Sequence, residues 1–127
     1  MKFILTIALI LVFGIALSFT NMPWWTIAIV SSAVAFQTRM SATASFFAGF
    51  LAVLLLWGAH AYFINSANDG ALLAKISELL KMGTTTIWAI MLLIGGLLGG
   101  FSATTGVFLR AVALGDAASS NSRRRRR

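Results

Sequence analysis

Four long apolar segments, separated by short polar ones, limit the folds open to this chain more than any single motif does. The segments cover about 3–20, 23–36, 42–64 and 85–109, and none contains Asp, Glu, Lys or Arg. A helix needs about 20 apolar residues to cross a hydrocarbon core of ~30 Å. Charged residues make up only 10% of the chain, against about 25% in a soluble domain. The pattern predicts an integral membrane protein.

We predict an all-α fold in which an antiparallel four-helix bundle spans the membrane and a short amphipathic helix lies on the exoplasmic side. The second segment is short for a span, so Trp24–Trp25 is placed at one interface and Arg39 at the other. Pro23 suits a first helical turn. Short connections predict that consecutive spans pack as neighbours. The predicted ranges are a bundle domain of 1–114 with spans of about 3–20, 23–38, 42–64 and 85–110, an amphipathic helix of about 70–82, and a tail of 115–127.

The basic residues fall mostly on one side of this predicted topology. That side holds Lys2, Arg39, Arg110 and the five terminal arginines, while the other holds Lys75 and Lys81. Basic residues favour the cytoplasmic side of a membrane. Both termini are therefore predicted to be cytoplasmic.

The N-terminal segment has an alternative interpretation as a cleavable signal peptide. Lys2, an apolar stretch and the small residues of Ala16-Leu17-Ser18 follow that pattern. The stretch is longer than the usual apolar region of about 7–15 residues, which favours a retained helix. Cleavage would leave three spans in the same orientation.

Residues 70–82 carry the pattern of an amphipathic helix between the third and fourth spans. Leu72, Leu73, Ile76, Leu79 and Leu80 recur at helical spacing, which favours one apolar face. The following glycine, at position 83, is predicted to be the C′ residue. Such a helix lies flat on the outer membrane surface or caps the bundle.

The tail of 115–127 is predicted to be disordered, because small polar residues and five arginines cannot bury a core. The arginines either fix the topology or also bind anionic lipid, at about 1 kcal/mol each. Without them the formal net charge falls from +7 to +7 − 5 = +2, which argues against a nucleic-acid partner. The predicted contacts to lipid headgroups are Arg39, Arg110, Arg123, Arg124, Arg125, Arg126 and Arg127.

Small residues four apart form a stripe along the fourth span. Small residues at this spacing let helix backbones approach closely in lipid. The stripe is predicted to pack against helices of the same chain, and a homo-oligomer interface is the alternative. The predicted packing residues are Gly95, Gly96, Gly99, Gly100, Ser102 and Gly106.

Few residues here are suited to catalysis or metal binding. The chain has no Cys and one His, so thiol chemistry is excluded and neither a metal nor another cofactor is predicted. His60, Asn65 and Asp69 are predicted to share at most a polar patch at the exoplasmic ends of the spans. Acid–base and nucleophilic catalysis need titratable groups within reach of one another, so no enzymatic activity is expected.

Three stretches resemble small four-span bacterial membrane proteins that carry no assigned activity. The resemblance rests on Pro23-Trp24-Trp25, on Phe47-Ala48-Gly49-Phe50 running through Leu56-Trp57-Gly58 to Ile64–Asn68, and on Gly95 to Arg110. It covers most of the chain except the tail. It implies the same topology and a bacterial inner membrane, and it implies no catalytic role.

The sequence favours a structural or accessory membrane protein that packs against a larger membrane complex. No acidic residue lies in a predicted span, and small-residue surface is plentiful, which suits helix packing. The alternative is an oligomeric channel or small-solute transporter lined by the Gly/Ser/Thr-rich fourth span, since hydroxyls and carbonyls can line a pore. The expected partners are the lipid bilayer, anionic headgroups, and a larger complex or further copies of the chain.

Overall fold

In a computed structural model, the described residues form five α-helices, which confirms the all-α prediction. The structure describes the backbone of residues 1–20 and 22–125, and side chains as far as Gly115, without residue 21. Residues 115–125 of the tail that was predicted to be disordered are helical in this structure, and the lipid contacts predicted for Arg123 to Arg127 concern side chains outside the described part. The helices are α1 (Lys2–Ser18), α2 (Thr26–Thr38), α3 (Ala42–Ala67), α4 (Ala71–Leu80) and α5 (Thr84–Arg125).

Two of the helices, α3 and α5, are long and apolar enough to cross a membrane. The α3 helix has 26 residues, and the apolar part of α5, Thr84–Gly115, has 32. The α1 and α2 helices are also apolar but have 17 and 13 residues. At 1.5 Å per residue, α1 and α2 are about 26 and 20 Å long, which is less than a full hydrocarbon core. Among the described residues, length and composition thus single out two candidate spans, where the sequence predicted four.

The α2 helix begins at Thr26, three residues later than predicted from Pro23. The Pro23 carbonyl accepts hydrogen bonds from the Thr26 N–H at 3.0 Å and the Thr26 hydroxyl at 2.6 Å. This turn places Pro23 outside the helix. The connection between α1 and α2 is therefore longer than the two residues predicted.

A residue with a left-handed backbone conformation terminates each of α3 and α4. Asp69 and Lys81 have φ of 49° and 52°, and the residue after each donates to a carbonyl five positions back, at 2.9 Å for Gly70 and 3.1 Å for Met82. This is the Schellman arrangement, in which the left-handed position is C′. Gly83 was wrongly predicted to be C′ of α4, because Lys81 takes that conformation two residues earlier.

Replacing Lys81 with Gly is expected to stabilise the protein by roughly 0.5–1 kcal/mol, because glycine adopts positive φ without a steric cost. Lys75→Gly, in the middle of α4, is the matched control and should destabilise the helix by about 1 kcal/mol. Thermal unfolding in detergent, followed by circular dichroism, checks both changes. Destabilisation by Lys81→Gly would contradict the left-handed cap.

The four longer helices pack in the ring order α1, α2, α5, α3. The α3–α5 interface is the most extensive, followed by α2–α5 and α1–α3, and α1 does not contact α5 within the described residues. The α2 and α3 helices barely touch, although their short connection predicted a neighbouring pair. The reason is that α5 packs closely against both of them. The core lies between α1, α2 and α3, at Ile10, Ile27, Val34, Ala52, Val53 and Leu56.

Candidate functional site

The α3 and α5 helices approach each other closely enough for their backbones to touch. A Cβ added to Gly99 would collide with the carbonyl oxygen of Gly49 and would lie 2.5 Å from Cγ2 of Val53. A Cβ on Gly49 would in turn collide with the Gly99 carbonyl. Glycine at both positions is therefore what allows the two backbones to touch.

The other small residues of the α5 stripe also face neighbouring helices of the same chain. Gly95 lies against the Trp57 ring, Gly96 against Phe50 and Gly100 against Phe46, all on α3. Gly106 faces the Ser32 carbonyl on α2. The glycine face of α5 is thus occupied by α3 on one side and α2 on the other, and it is not an open surface.

A groove remains on the outside of the α2–α5 pair, with a volume of about 530 Å³. We call it the α2–α5 groove. Its lining is mainly apolar and includes the exposed Ala33 and Ile29 of α2 and the exposed Leu109 of α5. Its polar lining residues are Ser32, Gln37, Ser102 and Thr105. Ser102 was predicted as a packing residue, and here it is half-buried on the wall of the groove.

The polar side chains of the α2–α5 groove differ in whether they form a hydrogen bond with another described residue. Thr105 donates its hydroxyl to the Phe101 carbonyl at 2.9 Å, as Thr104 does to Gly100. Ser32 and Gln37 of α2 and Ser102 of α5 line the same groove, and no side-chain hydrogen bond joins them to any described residue. The groove therefore offers donors and acceptors without carrying a charge.

Arg110 interacts with the end of α2 rather than pointing away from the bundle. Its guanidinium donates a hydrogen bond to the Phe36 carbonyl and lies 5.7 Å from the centre of the Phe36 ring. Phe36 is in the last turn of α2, where carbonyls lack partners within the helix. Arg39, the other predicted headgroup contact, is exposed and left-handed with φ of 52°.

The polar patch predicted at the exoplasmic ends is divided between two cavities. His60 lines a cavity of about 390 Å³ between α1, α2 and α3, which we call the outer vestibule. Asn65 lines a separate, apolar cavity of about 300 Å³ beneath α4, and Asp69 is the exposed C′ residue of α3. The described part of the chain contains no hydrogen bond between these three side chains.

Sequence reasoning missed three hydroxyl groups inside the bundle. Ser31 and Ser45 are fully buried, and their oxygens, like that of Thr38, have no hydrogen-bond partner among the described residues. The available signal for Ser31 was its helical spacing of four from Ile27, which is in the core, and for Ser45 it was the same spacing to the buried Gly49. Unpartnered hydroxyls in a core are costly to bury.

The described residues contain no group of three or more His, Asp or Glu side chains placed to hold a metal ion. The features that stand out are instead two surfaces, the α2–α5 groove and the outer vestibule. The resemblance to small four-span bacterial proteins stays a prediction. No protein-family model, curated protein or solved structure matches this chain.

Proposed function

We propose that α1, α2, α3 and α5 all cross the inner membrane of a bacterium, with both termini in the cytoplasm. The support is the large apolar side chains that the bundle leaves exposed on every helix, such as Ile4 at 72%, Phe63 at 70% and Phe101 at 63%. Soluble monomers rarely expose apolar patches beyond a few hundred Å², whereas lipid favours them. The short α1 and α2 helices are accommodated by local thinning of the bilayer and by interfacial Trp24 and Trp25.

We further propose that the protein is a structural or accessory subunit, and that a helix of a larger membrane complex lies in the α2–α5 groove. The observation that carries this proposal is the set of uncharged polar groups at Ser32, Gln37 and Ser102, whose side chains form no hydrogen bond with any described residue. In lipid such groups favour hydrogen bonds across helices, worth about 0.6 kcal/mol each on average. The small Ala33 beside them lets a partner backbone approach closely.

The contacts of α5 favour this function over an oligomeric channel. The glycines at 95, 96, 99, 100 and 106 already face α2 and α3. The hydroxyls of Thr104 and Thr105 are bonded to their own helix. A pore lined by the backbone of α5 would need these glycines to be free, and the Thr104 and Thr105 hydroxyls could only accept further hydrogen bonds there.

Ala33→Leu is the test of the α2–α5 groove. The added side chain fills the groove, so we expect the larger complex to be lost from the purified protein after mild detergent extraction, by at least tenfold in recovered partner. Ala89→Leu is the matched control, because Ala89 is also exposed but lies on α5 outside the groove. Quantitative mass spectrometry of the purified material compares the two variants with the unmodified chain.

Two results would contradict this proposal. One is equal partner recovery for Ala33→Leu and Ala89→Leu. The other is recovery of the unmodified protein as an isolated species that gives selective ion or solute flux in liposomes, which is the behaviour expected of the channel alternative.

A further inference from the structure

The outer vestibule is a second site, distinct from the α2–α5 groove. Its volume of about 390 Å³ is within the range of ~300–1,000 Å³ that small-molecule pockets occupy. The floor is apolar and formed by one residue from each of three helices, Gly14, Ile27 and Leu56. A Cβ on Gly14 would lie 2.5 Å from Cδ2 of Leu56, so the floor closes tightly.

The hydroxyl groups of the vestibule present oxygen lone pairs and no free hydrogens. Ser18 donates its hydroxyl hydrogen to the Gly14 carbonyl at 3.0 Å. Thr26 donates to the Pro23 carbonyl at 2.6 Å. A hydroxyl has one hydrogen and two lone pairs, so both oxygens can only accept a further hydrogen bond. A ligand that donates hydrogen bonds fits this pair.

The other polar residues that line the vestibule are uncharged, and they suit a ligand that carries both a cationic and an anionic group. Trp24 and Trp57 line the vestibule with His60, and among the residues whose side chains are described no Asp, Glu, Lys or Arg does. An indole ring attracts an ammonium group over its face, while the indole N–H and the imidazole can donate to a phosphate. A zwitterionic headgroup is therefore better matched than a purely anionic one.

The position of the vestibule places it at headgroup level in the proposed membrane arrangement. It lies where α1 ends, at Ser18, and α2 begins, at Thr26. The α3 helix continues from His60 to Ala67, which is about 10 Å further at 1.5 Å per residue. The short α1–α2 hairpin thus ends below the tip of α3, and outer-leaflet lipid reaches the vestibule from the hairpin side.

We propose that the outer vestibule binds an ethanolamine phospholipid of the outer leaflet. Its ammonium group donates to the Ser18 and Thr26 oxygens and lies against the indoles of Trp24 and Trp57. Its phosphate accepts from the indole or imidazole N–H groups. The upper part of an acyl chain covers the apolar floor. This inference rests on the membrane insertion proposed above.

Lipid titration of the delipidated full chain in detergent, followed by native mass spectrometry, tests the site. Three phospholipids with identical acyl chains are compared, with ethanolamine, choline and glycerol headgroups. The ethanolamine lipid is expected to bind about tenfold more tightly than the other two. Choline keeps the positive charge but has no N–H donor, so equal binding of the choline lipid would overturn the assignment. Soluble phosphoethanolamine should not displace the lipid, and displacement at equal concentration would overturn the role of the acyl chain.

Two variants locate the binding in the vestibule. Ser18→Ala with Thr26→Val should remove the preference for ethanolamine over choline, while Ser102→Ala with Thr105→Val, the same changes in the α2–α5 groove, should keep it. Ser18→Ala alone serves if the double variant does not fold by circular dichroism, and it should reduce the preference. If the vestibule variants kept the full preference for the ethanolamine lipid over the choline lipid, the assignment of this site would be overturned. Resistance to alkaline carbonate extraction is measured on the same preparations, so that failed membrane insertion is distinguished from a failed lipid site.

Discussion

Gly99→Ala should destabilise the protein by about 3 kcal/mol, which is a large effect for a single methyl group. The new Cβ would collide with the Gly49 carbonyl and lie 2.7 Å from Cβ of Val53. Neither neighbour can move cheaply, because one is helix backbone and the other is a fully buried β-branched side chain. The α3 and α5 helices must therefore separate along their most extensive interface.

Gly115→Ala is the matched control for this change. It lies on the same helix, and nothing lies within 4 Å of its added Cβ, so it should stabilise α5 by roughly 0.5–1 kcal/mol. Unfolding by sodium dodecyl sulfate in mixed micelles, followed by circular dichroism, gives both free energies. Variants of equal stability would contradict the backbone contact between α3 and α5.

Arg110→Ala should destabilise the bundle by roughly 2 kcal/mol, from the charge-assisted hydrogen bond and the cation–π contact together. The guanidinium supplies the Phe36 carbonyl with a donor at the negative end of the α2 dipole. Without it, the last turn of α2 loses its link to α5. Hydrogen exchange of the α2 amides, measured by mass spectrometry in detergent, should rise most in that turn.

Arg39→Ala is the control that distinguishes the loss of the Arg110–Phe36 contact from the general effect of removing a positive charge. Arg39 is exposed, so its removal should change the unfolding free energy by less than about 0.5 kcal/mol. Arg110→Lys keeps the charge but not the planar fork of donors, and it should recover only part of the stability. If Arg39→Ala and Arg110→Ala behaved alike, the contact with Phe36 would have no special role.

The helices themselves could be predicted from the sequence, because apolar length and cap residues are local signals. The α3 helix begins after Ser41, whose side chain accepts from the Ala44 N–H, and the amphipathic α4 lies within the predicted range. The start of α2 was wrong because the turn at Pro23 depends on the Thr26 hydroxyl. The end of α4 was wrong because Lys81, and not the nearby Gly83, takes positive φ.

The arrangement of the helices could not be predicted, because it depends on contacts between distant residues. Short connections suggested that α2 and α3 are neighbours, but Gly99 faces Gly49 on α3 and Gly106 faces Ser32 on α2, so α5 packs against both helices. The stripe of small residues was visible in the sequence, whereas the identity of its partner helices was not. The same holds for the vestibule, which brings together the ends of α1 and α2 and the middle of α3.

Cysteine labelling at Thr20 tests the central proposal, four membrane crossings, most directly. The chain has no native Cys, so a single Thr20→Cys, Ala74→Cys or Ser120→Cys change gives one reactive site without background. Thr20 lies between α1 and α2, and Ala74 is an exposed residue of α4. Four crossings predict that Thr20→Cys and Ala74→Cys react with a membrane-impermeant maleimide on intact cells, and that Ser120→Cys reacts only after permeabilisation. If Thr20→Cys, like Ser120→Cys, reacted only after permeabilisation, α1 and α2 would not cross the membrane. That result would contradict the proposal of four crossings.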